Sequence, residues 1–318
     1  EPTQCIEDMN MKLLTYSLAA GLLSASIASA DYLKPLMNPA ELSNSLDQAN
    51  PIILDIRGDA YSDGHIPGAI SAPYGLFRGP KNNPGQLLDE DVLEERFEAL
   101  GLELDRPVVV VSEGKTDTDF GAAARVYWTL KSTGFEDLAI LNGGKQAWEQ
   151  AGYPIDKTNI TPKPTELDIT FSPQWTATTE QVVSVTKEEV DSLLLDARPA
   201  SFYEGDKSHG AASRPGTLPG AENYYYASFF NDGSAAISSD IDVQALKVTL
   251  GLEEDQEIVS FCNTGHWAAT NWFALSEVAG IENVKLYPGS MVEYSNLDLP
   301  MENTPGVVEN LLNSILGN

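Results

Sequence analysis

Cysteine is scarce in this chain: 318 residues hold two, Cys5 and Cys262. That excludes a disulfide-built scaffold and a multi-cysteine zinc site. Histidine is nearly as rare, with three residues, and their spacing matches no metal motif. Positive charge is also short. Lys and Arg number 19 against 47 Asp and Glu, a net charge of −28. A surface of that sign repels nucleic acid and anionic membrane, so neither is expected as a partner. No dinucleotide fingerprint and no P-loop is present, and no cofactor is expected. Past residue 30 no apolar run is long enough to span a bilayer, so no membrane span is expected in the mature chain.

The one long apolar run lies near the N-terminus. Lys12 precedes Leu13 to Ile27, and Ala28-Ser29-Ala30 follows as a small-residue cleavage site. This is the order of a secretory leader, so residues 1–30 are expected to be removed, with Asp31 opening an exported, periplasmic chain. Residues 1–8 stand before Met9 and Met11 and do not fit a leader. Cleavage would take Cys5 with it. Cys262 would then be a lone thiol in an oxidising compartment, which suggests a reactive or intermolecular role.

What the chain does contain, it contains twice. Pro51-Ile-Ile-Leu-Asp-Ile-Arg57 returns as Ser192-Leu-Leu-Leu-Asp-Ala-Arg198. His65-Ile-Pro-Gly-Ala69 returns as Thr217-Leu-Pro-Gly-Ala221, with a longer loop before it in the second copy. The apolar runs Val108 to Val111 and Ile258 to Phe261 follow, and glycine turns close each copy at Leu141-Asn-Gly-Gly144 and Leu286-Tyr-Pro-Gly289. The short apolar runs predict buried strands. They alternate with helical stretches at Asp91 to Leu100, Phe120 to Ser132, Val243 to Leu250 and Ala268 to Ala279. The expected fold is α/β: two tandem domains, each a mostly parallel central sheet flanked by helices. The domains are expected at 31–155 and 174–318, with the polar, proline-bearing stretch 156–173 as a linker.

Chemistry concentrates after the last long strand. Cys262 is the first residue beyond Phe261, and Asn263-Thr264-Gly265-His266-Trp267 leads into a helix. Ligands bind at the carboxyl ends of strands in open α/β sheets, and helix N-termini offer unpaired amides. A loop curling over the thiol would aim amides at the sulfur and favour its anionic forms, a persulfide included. Gly265 permits a positive φ. His266 stands open between two roles, a cationic or hydrogen-bonding group for an anionic ligand and a structural side chain. An inert core cysteine is the bland alternative for Cys262.

These motifs, in this order and in both halves, resemble the tandem-domain rhodaneses, the thiosulfate and 3-mercaptopyruvate sulfurtransferases. Leu54-Asp-Ile-Arg57, Ala124-Arg-Val-Tyr-Trp128 and Leu141-Asn-Gly-Gly-Lys-Gln-Ala-Trp148 carry the likeness in the first copy. Leu195-Asp-Ala-Arg198, Leu218-Pro-Gly-Ala221, the Cys262 loop and Tyr287-Pro-Gly-Ser290 carry it in the second. The resemblance implies a catalytic Cys262 that takes sulfur from a small anionic donor and passes it to a thiophilic acceptor such as cyanide. It implies a silent first domain, whose corresponding loop, Ser112-Glu113-Gly114-Lys115-Thr116, has no cysteine. Asp196 and Arg198 are expected to form a structural ion pair, because Asp55 and Arg57 recur in the silent copy. Trp267 and Trp272 are expected to pack or to wall the pocket.

The loop departs from both familiar types, and Phe202 stands where an arginine commonly meets substrate. Arg214 in the longer loop is a candidate replacement. A cysteine phosphatase on the related fold would need an arginine six residues after the cysteine, where Ala268 stands. A sulfur carrier or inactive binding protein is the remaining alternative.

Overall fold

The computed structural model describes residues 33–231 and 233–306. The expected leader and Cys5 lie outside them. The described residues belong to one compact unit that contains both halves.

The apolar runs are strands, as expected. The first half places β1 (Leu36–Met37), β2 (Ile52–Asp55), β3 (Ile70–Ser71), β4 (Val108–Val111) and β5 (Leu138–Leu141) in one sheet, ordered β1-β5-β4-β2-β3. The second half places β6 (Ser192–Asp196), β7 (Glu222–Asn223), β8 (Glu257–Phe261) and β9 (Val284–Leu286) in the order β7-β6-β8-β9. Every pairing among these strands is parallel. All four valines of β4 are buried, the signature of a parallel strand covered on both faces. Thr176 makes a parallel bridge to Leu286, taking in the second sheet the position β1 takes in the first.

Helices cover the sheets: α1 (Pro39–Ala49), α2 (Glu90–Ala99), α3 (Asp117–Ser132) and α4 (Gly144–Gln150) in the first half, and α5 (Thr179–Thr186), α6 (Ala200–Tyr203), α7 (Val243–Leu250), α8 (Trp267–Phe273) and α9 (Ser290–Ser295) in the second. Asn38 caps α1 reciprocally with Glu41, and Thr178 caps α5 with Gln181. The single helix expected over Ala268 to Ala279 is divided: α8 ends at Phe273, and Ala274–Val278 continue as a wider π turn. The widening falls where Phe273 sets its ring edge-on against Phe120 and Tyr127 of α3.

The expected linker is a strap rather than a free spacer. Glu90, Glu94 and Glu98 line one face of α2 at four-residue spacing. Their carboxylates accept the amides of Phe171, Ile169 and Leu167 in turn. Ile169 is buried. Part of the chain's acidic excess is therefore spent holding backbone, which composition alone does not reveal.

The two halves share one core. Phe120, Tyr127 and Trp128 of the first half join Trp272, Phe273 and Leu275 of the second in a continuous buried cluster. Lys131 pairs with Glu277 across the seam at 2.9 Å, and Trp128 Nε1 donates to the Trp175 carbonyl. Gly121 on α3 lets α8 approach. A Cβ there would lie 2.9 Å from the His266 ring and 3.0 Å from its carbonyl oxygen. In an isolated helix Gly→Ala stabilises by up to ~1 kcal/mol, but overpacking costs ~1–3 kcal/mol. The second effect should win: Gly121→Ala is expected to lower the urea unfolding midpoint. An unchanged or raised midpoint would show that α3 and α8 are not tightly docked.

Candidate active site

Cys262 follows the carboxyl end of β8, next to β6, whose matching end holds Asp196, with Arg198 two residues beyond. From β6 the chain turns to β7 on one side and β8 on the other, so the thiol lies at the reversal point of the sheet order. The cysteine is free and 1% exposed.

The loop beyond it is held by its carbonyls. Cys262 and Asn263 oxygens accept from the amides of Met291 and Val292 on α9. The Thr264 oxygen accepts from Arg78 Nη2 at 2.8 Å and Arg125 Nη1 at 3.4 Å, and the Gly265 oxygen accepts from Arg125 Nη1 at 3.3 Å. In a trans peptide the N–H points opposite to the C=O. Four outward carbonyls therefore turn four amides, those of Asn263, Thr264, Gly265 and His266, to the other side. The Gly265 amide donates to the Ser290 hydroxyl, as does that of Cys262. The amides of Asn263, Thr264, His266, Trp267 and Ala268 have no hydrogen-bond acceptor among the described residues. Gly265 has φ 63°, as its place in the loop required.

The first half repeats this scaffold with the cradle filled. Ser112 and Glu113 carbonyls accept from Lys145 and Gln146, matching Cys262 and Asn263. There, however, the amides of Lys115 and Thr116 donate to the Asp119 carboxylate at 2.8 and 2.9 Å. Helix α3 begins at Asp117 and α8 at Trp267, so Ala269 occupies the place of Asp119. The same backbone that holds a built-in anion in one copy is left without one beside Cys262.

The ion pairs recur in both copies. Arg198 binds Asp196 through Nε and Nη2, with both side chains almost wholly buried, and its Nη1 donates to Asn263 Oδ1. Arg57 binds Asp55 likewise and reaches Glu113 Oε2. Glu113 is half-buried, which opposes ionisation, but Lys115 and Arg57 hold its carboxyl below the usual carboxylate range. Losing one member of such a buried pair costs ~3–5 kcal/mol. The Asp-x-Arg element is thus structural, and in the second copy it also anchors the residue after the cysteine.

Other expected site residues divide. Asn263 and Thr264 are buried in the loop. Trp267 stacks on Tyr226 and donates to Thr118 Oγ1, so it packs across the seam. Trp272 is fully buried and donates to the Val284 carbonyl. Phe202 lies near Arg198 and edge-on to Trp267. Arg214 makes no contact with the Cys262 loop among the described residues: its Nη2 donates to the carbonyls of Ser295 and Leu299.

His266 is a correction to the cationic role. Its Nε2 lies 2.9 Å from the Thr118 carbonyl, which can only accept, so Nε2 carries the proton. Nδ1 then accepts from the Tyr74 hydroxyl at 3.0 Å. Burial, with Arg78 and Arg125 nearby, pushes its pKa down to about 4. The imidazole is a neutral clasp between halves. The first half contributes more that sequence reasoning missed. Arg125, Arg78 and Tyr74 all reach the loop, and Ser290 holds it at φ 51°, a left-handed conformation unusual for serine. A charged residue inside the apolar helical stretch Ala122 to Leu130 was the one sequence signal for Arg125. Arg78 carried none.

The comparisons with known proteins match this geometry. The family description "Rhodanese-like domain" fits residues 38–151 and again 180–297. The chain belongs to the rhodanese family. A thiosulfate sulfurtransferase of Pseudomonas aeruginosa is 30% identical over 270 residues, covering 84% of this chain and 96% of that protein. The 3-mercaptopyruvate sulfurtransferase of Escherichia coli is 27% identical over 245 residues, 76% of this chain and 84% of that protein. The solved structure of SseA from Escherichia coli superposes with a TM-score of 0.69 at 24% identity, covering 81% of this chain and 99% of that one, which supports the fold. This rhodanese is of the tandem-domain sulfurtransferase type.

The His266 clasp makes stability depend on acid. Its folded-state pKa lies below the ordinary 6.5, so between pH 6.5 and 4 the unfolded chain takes up a proton that the folded chain does not. Stability therefore rises with pH across that window, and the acid side loses up to about 3 kcal/mol through this group. His266→Gln is expected to lose less stability than the parent between pH 7 and 4.5, measured by urea midpoints. Equal losses would remove the buried neutral imidazole from the account.

Proposed function

We propose that this rhodanese carries sulfane sulfur from thiosulfate, or from a related donor such as 3-mercaptopyruvate, to a thiophilic acceptor through a persulfide on Cys262. One observation supports this most: of the two amides that hold the Asp119 carboxylate in the first copy, the counterparts in the Cys262 loop meet no carboxylate, that of Gly265 going to the neutral Ser290 hydroxyl and that of His266 having no acceptor among the described residues. Such a cradle favours a thiolate and a persulfide for the same reason it favours a carboxylate.

With thiosulfate, the Cys262 thiolate attacks the outer sulfur. The donor S–S bond breaks, and sulfite leaves with the electron pair. Cyanide or a thiolate then attacks the outer sulfur of the persulfide, takes it, and restores the Cys262 thiolate. This is covalent catalysis in two half-reactions. Ala268 at the sixth place after the cysteine supplies no guanidinium for a phosphate, which disfavours the phosphatase alternative.

Cys262→Ser is expected to abolish thiosulfate:cyanide sulfurtransfer while leaving the circular dichroism spectrum unchanged. Intact mass spectrometry should show one added sulfur atom on the parent after thiosulfate, and none on the variant. Turnover surviving in the variant would refute the assignment. Loading without repeated turnover on cyanide would mark a carrier instead.

The apolar run from Leu13 to Ile27 and Ala28-Ser29-Ala30 support export to the periplasm. The exported chain is expected to begin at Asp31. A retained leader in the mass of the purified protein would count against export.

A further inference from the structure

Four arginines of the first half, Arg78, Arg96, Arg106 and Arg125, have no carboxylate partner among the described residues, and two of them, Arg78 and Arg125, reach the Cys262 loop. Arg78 follows the short turn Tyr74–Phe77, and Arg125 lies mid-way along α3. Among the described residues neither has a carboxylate within ion-pair distance. Arg125 is 0% exposed. Its nitrogens donate to the carbonyls of Thr264, Gly265 and Gly85, and its Nε has no acceptor. Arg78 Nη2 takes the Thr264 carbonyl, while Nη1 is buried and has no acceptor. Tyr74 lies under the Arg78 guanidinium, 5.2 Å from ring centre to cation. Burial and the neighbouring Arg78 push the Arg125 pKa down to about 9. In a chain of net charge −28, a buried and a half-buried cation with carbonyl partners alone are costly unless an anion joins them.

The second half offers no arginine that reaches the Cys262 loop without a carboxylate partner of its own. It holds two. Arg198 is spent on Asp196 and Asn263, and Arg214 on the carbonyls of Ser295 and Leu299. Phe202, where an arginine was expected, brings none.

We propose that the silent first half supplies the donor-recognition cation of this site. In this arrangement Arg78 Nη1 receives the oxyanion end of the donor, a sulfonate or carboxylate, next to the Thr264 peptide. Arg125 is a positioning residue. It grips the Thr264 and Gly265 carbonyls and places fixed positive charge beneath the loop. The proposal rests on the sulfurtransferase reading. It explains how a strongly acidic protein of this family could take a small anion without the usual arginine of its own second half. A charge-assisted hydrogen bond of this kind accounts for roughly tenfold to hundredfold in affinity.

The test is thiosulfate binding to the full-length Cys262→Ser chain by calorimetry, which needs no sulfur transfer. Adding Arg78→Gln is expected to weaken binding at least about tenfold, and Arg78→Lys to recover part of it. With Cys262 intact, Arg78→Gln should raise KM for thiosulfate by a similar factor and lower kcat by less, because Arg125 still holds the Thr264 carbonyl. Arg125→Lys, which keeps the charge but loses the fork to both carbonyls, should lower kcat more than it raises KM. Thiosulfate affinity within twofold of the parent in Arg78→Gln would overturn the proposal, as would no thiosulfate binding to Cys262→Ser at concentrations that saturate turnover. Failure of the parent to load sulfur on Cys262 would instead defeat the sulfurtransferase reading, and the calorimetry would still decide the role of Arg78.

Discussion

The site depends on which way four peptide units face. A loop between a strand and a helix has no ladder to fix its amides, so something must take its carbonyls. Here α9 takes two of them, and Arg78 and Arg125 take the next two. Peptide planarity then sends the amides to the opposite side. The Ser290 hydroxyl gathers the Cys262 and Gly265 amides and donates on to the Tyr287 carbonyl, tying the start of the loop to its middle. The orientation of the loop amides is thus set from the carbonyl side, and the side chains act by fixing it.

The internal repeat supplies its own control. Both copies keep the strand order, the Asp-x-Arg pair and the grip on the first two loop carbonyls. They differ at three places that bear on an anion. Ser112 stands for Cys262, Glu113 for Asn263, and Asp119 for Ala269. In the first copy the carboxylates neutralise Arg57, Lys115 and the loop amides, leaving nothing for a ligand to gain. In the second, Asn263 occupies the arginine without adding charge. The first copy is therefore a closed electrostatic circuit, whereas the other is short of negative charge.

Much of this was legible in the sequence because it is local. The apolar runs, the repeated Asp-x-Arg and Pro-Gly-Ala elements, and the step from Phe261 to Cys262 to Gly265 are contiguous signals, and the strands, the buried pairs and the positive φ followed. What was not legible is long-range. Arg78 and Arg125 meet the loop from well over a hundred residues away, and no periodicity marks such a contact. His266 read as a possible cation because its neighbours in sequence are neutral. Its neighbours in space, two arginines and the packed Tyr74, make the charged form costly. Arg214 was placed by its proximity to the Pro219 motif, yet its chain segment folds back onto the carbonyls of Ser295 and Leu299. The strap over α2 hid for a related reason. Polar, proline-bearing sequence reads as spacer unless the acceptors spaced along a distant helix are known.

Why a half without a nucleophile should be kept follows from the same contacts. Removing it would leave the Thr264 and Gly265 carbonyls without donors, at ~1–3 kcal/mol for each buried group left unpaired. It would also bare Trp272 and Phe273, each worth roughly 1.5–3 kcal/mol or more in burial. The apolar loss can be met by any covering surface. The carbonyls cannot, because only donors placed at that spot hold these peptides in their orientation. The first half is therefore required at the loop by direction rather than by area, and the clasp from Tyr74 through His266 to Thr118 keeps its arginines in register with the peptides they hold.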